Sequence, residues 1–250
     1  MSDIAIFSLR VKLSALGRIF SVILFIFAIA FSGVTVSAEE KASFSALSKT
    51  PAAAQAKAPQ TEAHKALRKA VAFHREAKDL TLKFKASVYN AALDKQEEYQ
   101  GSLLLKGANK FRLEIPGGIY ASDGESFWEY HPQNKQVILK RAKEMEDKPL
   151  PGDVLLRFLD SDPMSLGKSL DQGKEYLEMR LDPSRAMKNL DSLSVALDKA
   201  TYSVHRISSR DVSGNEAQYT VTTVKRNAGL KDKAFVFSIP KGAELVDMRE

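Results

Sequence analysis

The sequence predicts a mainly β, α+β fold: a strongly curved antiparallel sheet forming an incomplete β-barrel, with short helices lying across it as a lid. Three observations carry this. About ten segments alternate apolar and polar residues with a period of two, as half-buried strands do. Gly, Asn, Asp and Pro links separate them at hairpin spacing. Only two segments keep a helical period, and an open barrel uses such helices to cover its mouth.

Residues 1–38 read as a secretory signal peptide: Arg10, Lys12 and Arg18 precede an apolar run from Ile19 to Phe31, and Val36-Ser37-Ala38 supplies the small residues for cleavage after Ala38. That run is 13 residues long, short of the roughly 20 that span a bilayer. Residues 39–60, rich in Ala, Lys, Ser and Pro, read as a disordered linker, and 61–250 as one domain. A helix from Thr61 to Lys78 places Ala63, Leu67, Ala70, Val71 and Ala77 on one side. The period then changes to two: Leu80, Leu82, Phe84, Ala86 and Val88 alternate with Thr81, Lys83, Lys85, Ser87 and Tyr89. Strands over Glu98–Lys106 and Lys110–Ile115 follow around the Gly107-Ala108-Asn109 link.

Pro116-Gly117-Gly118 breaks the sheet, Tyr120-Ala121-Ser122 is a short strand, and Asp123-Gly124 centres a two-residue hairpin turn before a strand over Ser126–His131. Pro132 closes that strand, Asn134 is the turn residue, and Gln136–Lys140 pairs back. Arg141–Gly152, charged and holding Pro149 and Pro151, reads as a mobile loop. A short helix over Asp153–Leu159 follows, with Asp153 as its N-cap and Val154, Leu155, Phe158 and Leu159 on its apolar side. Strands then run near Glu175–Leu181, Leu193–Asp198, Val204–Asp211 and Glu216–Arg226, the last pair turned at Ser213-Gly214-Asn215, and a final strand covers Ala234–Ser238.

The chain has no cysteine, which excludes a disulfide framework, a thiol nucleophile and lipidation through a cysteine. Its net charge is +6; the signal segment holds three basic residues and one acidic residue, leaving +4 on the remainder. Basic and acidic residues alternate along the surface, and export argues against a nucleic-acid partner. Enzyme motifs are missing: there is no G-x-S-x-G, H-E-x-x-H or P-loop pattern. His64, His74, His131 and His205 lack ligand spacing, so no metal and no cofactor are expected. Glu97-Glu98 and the Glu144, Glu146, Asp147 group read as solvated faces. The alternating apolar faces fit a filled core as well as a ligand cavity, and periodicity does not separate the two.

The run from Gly101 to Pro132 resembles the LolA family of outer-membrane lipoprotein carriers. The matching residues are Gly101, Leu103, Lys106 and Phe111-Arg112, then Ser122-Asp123-Gly124, then Trp128, Tyr130 and Pro132, with Phe235, Phe237, Pro240 and Gly242 near the C-terminus. The resemblance implies an unclosed barrel in the periplasm that takes up lipoprotein acyl chains. An inner-membrane lipoprotein-releasing ABC transporter would load it, and an outer-membrane acceptor lipoprotein would unload it, the carrier being a monomer without cofactor. It further implies a cavity lined by Leu80, Leu82, Phe84, Ala86, Leu103, Leu105, Phe111, Leu113, Trp128 and Tyr130, with Leu67, Val71, Leu155, Phe158 and Leu159 as lid. Where the family carries Arg-Pro, a latch to the lid helices, this chain has Gly107-Ala108. Lys106 and Arg112 are the candidate substitutes, neither at the same position, and alternation sends Lys106 to the face opposite Leu105. The rival readings are a periplasmic lipid- or lipoprotein-sensing regulator, or a carrier of other lipids, on the same fold.

Overall fold

The computed structural model describes residues 57–145 and 151–249. The expected signal segment, the linker as far as residue 56 and positions 146–150 of the expected loop lie outside the described residues. The first half of the described chain runs α1 (Lys57–Arg75), β1 (Asp79–Asn90), β2 (Lys95–Lys106), β3 (Lys110–Ile115), β4 (Gly118–Asp123), β5 (Ser126–His131) and β6 (Gln136–Arg141). After a 3-10 turn at Ala142–Met145 come α2 (Pro151–Leu159), β7 (Gly167–Asp171), β8 (Lys174–Leu181), β9 (Leu190–Asp198), β10 (Val204–Asp211), β11 (Glu216–Arg226) and β12 (Glu244–Asp247).

All the strands join one sheet in the order β12-β6-β5-β4-β3-β2-β1-β11-β10-β9-β8-β7, so the barrel is not closed. Every pairing is antiparallel except β12 with β6. The two halves of the chain meet at β1, whose residues Leu80 to Tyr89 pair with Arg226 back to Glu216 on β11. A register shift between Lys83 and Phe84 sets Thr222 outside that ladder, and its hydroxyl donates to the Lys83 carbonyl at 3.1 Å. Further shifts interrupt the β9–β10 pairing, and such bulges bend a sheet.

Both helices begin earlier than the sequence suggests. Proline is tolerated in a first helical turn, whose N–H groups have no intrahelical acceptor, so Pro59 sits inside α1 and the expected linker loses residues 57–60 to the helix. Likewise Pro151 opens α2, which puts Asp153 in the first turn rather than at the N-cap. In α1, Ala63, Ala66, Leu67 and Ala70 are buried at helical spacing while Glu62, Lys65, Arg68 and Lys69 face solvent.

Turn chemistry shifts the β4–β5 hairpin by one residue. Gly124, at φ +98°, starts the two-residue loop, while Asp123 stays in β4 and its carboxylate accepts from the N–H groups of Glu125 and Ser126 at 2.9 and 2.8 Å. Between β5 and β6 the left-handed residue is Lys135, not Asn134.

Two strands escape the period-two search. The β7 sequence GKSLD has one large apolar side chain, Leu170, and that is exposed. The short β12 extends the sheet at its other edge. The strand expected over Ala234–Ser238 is corrected: this segment joins no ladder and forms a strap. Phe235 and Phe237 are buried while Val236 is 46% exposed, so the alternation is real but is satisfied by a sheet face rather than a strand edge.

Asp79 anchors the start of the strap. Its carboxylate accepts from the backbone N–H groups of Ala228, Gly229 and Leu230 at 2.7, 2.9 and 3.1 Å. Beyond it, Asp232 takes hydrogen bonds from Lys106 at 2.7 Å and Lys110 at 2.9 Å, which hold its carboxyl at a pKa of about 2.

Three buried clusters result. One joins the small face of α1 and Leu159 of α2 to β8, β9 and the start of β10. A second lies on the inner face of β1 to β5 and includes Leu80, Leu82, Phe84, Leu103, Phe111, Leu113 and Phe127. The third lies on the outer face, where Ala121, Trp128, Val137 and Leu139 pack under Phe237 of the strap.

Candidate functional site

An apolar cavity, open on one side, lies between α2 and the curved sheet. Leu82 and Phe84 of β1, Leu103 of β2 and Leu113 of β3 form one wall. Val204, Ile207 and Ser209 of β10, with Tyr219 and Val221 of β11, form the other. Pro151, Val154, Leu155 and Phe158 of α2 roof it, and Met187 completes the lining. Register explains the first wall, since Leu82 pairs with Leu103 and Leu103 with Leu113, which stacks three strands' side chains on one face. The cavity sits where the first two clusters approach each other, and Val221 and Leu155 touch both.

Of the residues expected to form the wall, Leu80, Ala86, Leu105 and Phe111 share the inner face but stand outside the lining, with Leu105 beside Gly152 at the start of α2. Trp128 and Tyr130 are corrected to the opposite face. Phe127 pairs with Ser122, which pairs with Phe111, so Phe127 points inward. Trp128, paired with Ala121 and Leu139, therefore points outward. Tyr130 meets Phe237 there at a ring-centroid distance of 5.4 Å. Among the expected lid residues, Leu155 and Phe158 line the cavity, whereas Leu67, Val71 and Leu159 pack into the first cluster.

The sequence reading missed the entire β10–β11 wall together with Pro151, Val154 and Met187. Its signal was present, because Ile207 and Ser209, and likewise Tyr219 and Val221, stand two apart. Breaks in register beside Val204 and at Thr222 hide which face they share.

Ser209 and Tyr219 are the polar members of a lining otherwise apolar. Tyr219 and Tyr99 flank Ala86 from β11 and β2, and burial pushes both phenols above their ordinary pKa. Their hydroxyls lie close enough to affect one another, but the approach falls short of hydrogen-bond geometry. Beyond the second cluster the inner face turns polar. Burial opposes ionisation of Glu129, but the His131 ring, 3.9 Å from its carboxylate, and Lys140, which donates to it at 3.1 Å, hold its carboxyl below the usual range.

The family model described as "Outer membrane lipoprotein carrier protein LolA" matches residues 75–238, which include the whole β-sheet except β12. The chain belongs to the LolA family. Outer-membrane lipoprotein carrier proteins of Aeromonas salmonicida and Glaesserella parasuis are each 26% identical to it. The first alignment covers 67% of this chain and 81% of that relative, the second 66% and 78%. A crystal structure of an uncharacterized conserved protein from Thermus thermophilus is also similar, at TM-score 0.47 and 16% identity over 74% of this chain and 99% of that one.

Within this LolA-family chain the position of the family's latch is a turn. Gly107 has a φ of +59° and is exposed. Lys106 reaches the Leu230 carbonyl at 2.8 Å as well as Asp232, and Arg112 binds Glu114 at 2.6 Å and lies over Phe237. Both basic residues thus serve the strap side of the sheet, away from the helices.

Proposed function

We propose that this protein is an exported periplasmic carrier, with its signal peptide cleaved after Ala38, that holds the acyl chains of lipoproteins leaving the inner membrane and delivers them toward the outer membrane. It works as a monomer without cofactor or covalent step, loaded by a lipoprotein-releasing ABC transporter and unloaded by an acceptor lipoprotein. The observation that supports this best is the apolar cavity under α2 in a chain of the LolA family. The physics of transfer favours such a site. Each CH₂ removed from water contributes roughly 0.8 kcal/mol, so an acylated anchor does not cross water alone but exchanges readily between comparably apolar sites.

The charge-free lining and short α2 roof suit this exchange, because nothing covalent or ionic has to be broken on release. The test is incubation of the protein comprising residues 39–250 with spheroplasts making labelled lipoprotein. Release of the label into a complex with the protein is expected. Phe158→Glu, which places a carboxylate at the roof of the cavity, should abolish it while the circular dichroism spectrum stays folded. Undiminished release by a folded Phe158→Glu protein would defeat the reading.

A further inference from the structure

We propose that Tyr219, backed by Tyr99, forms a hydrogen-bonding subsite in the cavity for a neutral carbonyl oxygen of the bound lipid, of the ester or amide kind that joins an acyl chain to its head. This rests on the reading of the cavity as an acyl-chain site. Tyr219 lines the cavity, its side chain partly buried and its hydroxyl shielded, with its ring edge-on to Phe84 at a centroid distance of 5.9 Å. Its hydroxyl and that of Tyr99 are buried with only each other nearby, short of hydrogen-bond geometry. A buried phenol left in that state has lost its water partners for nothing, and the buried polar groups of folded proteins are almost always paired. Phenylalanine at either position would keep the packing and remove the cost.

The chemistry of the subsite selects its ligand. A tyrosine whose proton is held by burial keeps its O–H to donate, and a carbonyl oxygen is an acceptor that matches it. No lysine, arginine or histidine lines the cavity, so a carboxylate there would be desolvated without a countercharge. A neutral carbonyl satisfies the hydroxyl at no such cost. Ser209, also in the lining, supplies a second hydroxyl on the same wall.

The experiment compares three probes, dodecane, methyl dodecanoate and dodecanoate, by displacement of an apolar fluorescent dye from the wild-type protein and from Tyr219→Phe and Tyr99→Phe. The wild type should bind the ester roughly tenfold more tightly than the hydrocarbon, the size of one net hydrogen bond. In Tyr219→Phe that preference should vanish, and the melting temperature of the free protein should stay the same or rise. Tyr99→Phe should reduce the preference in the same direction. Equal binding of ester and hydrocarbon by the wild type would overturn the subsite and leave the carrier reading standing. A preference for dodecanoate that depends on Tyr219 would overturn the neutral-carbonyl assignment. Failure of all three probes to displace the dye would overturn the acyl-chain cavity itself, and this inference with it.

Discussion

Gly101 shows how one residue shapes the cavity wall. A Cβ there would lie 2.5 Å from the Phe84 ring and 2.9 Å from the Glu114 carbonyl oxygen, so the absence of a side chain on β2 is what lets the Phe84 ring pack close against it. Gly101→Ala should destabilise the fold by roughly 1–3 kcal/mol, the usual cost of overpacking, which urea denaturation would read as a lower midpoint with an unchanged slope. His74 on α1 ties stability to pH. Both its ring nitrogens are shielded and unpaired, and burial, with the Arg226 charge second, lowers its pKa from 6.5 to about 4. The folded state therefore takes up its proton later than the unfolded state as pH falls. Its contribution is fully present above pH 6.5 and is lost between 6.5 and about 4, amounting to about 3 kcal/mol. Thermal unfolding across that range should show the loss, and His74→Gln should flatten it.

At the scale of elements, the strap explains why the most aromatic strand contributes so little to the cavity. β5 carries large apolar side chains on both faces, Phe127 inward and Trp128 outward, and the outward set packs against Phe237 and Ala243 of the strap segment. Trp128 is the single tryptophan, so its fluorescence reports the strap rather than the cavity. Filling the cavity should leave its emission unmoved, whereas Phe237→Ala should shift it to the red and cost about 3–5 kcal/mol. An emission shift on ligand binding in the wild type would contradict this separation of faces. Asp79 belongs to the same device, since the three N–H groups it accepts would be left without an acceptor in Asp79→Ala.

For the molecule as a whole, one continuous sheet serves three apolar clusters, and the cavity lies between the first two. A protein that filled this gap would be more stable and less useful. Val221→Phe, at a position touching both clusters, should raise stability by roughly 0.5–2 kcal/mol while weakening dye binding; a variant that gains stability without losing ligand would place the ligand elsewhere. The sequence located β3, β10 and β11 to the residue, because a period of two and turn residues at both ends are local properties. It also gave the inner face of β1, where five buried apolar positions alternate with exposed lysines and other polar residues. The outward turn of Trp128, the missed β10–β11 wall and the conversion of the last expected strand into a strap lay beyond it. Alternation says that a strand has two faces, and turn stereochemistry says where it stops. Which face meets a helix, a strap or an empty space depends on strand partners more than a hundred residues away, as β1 with β11, and only the assembled sheet decides that.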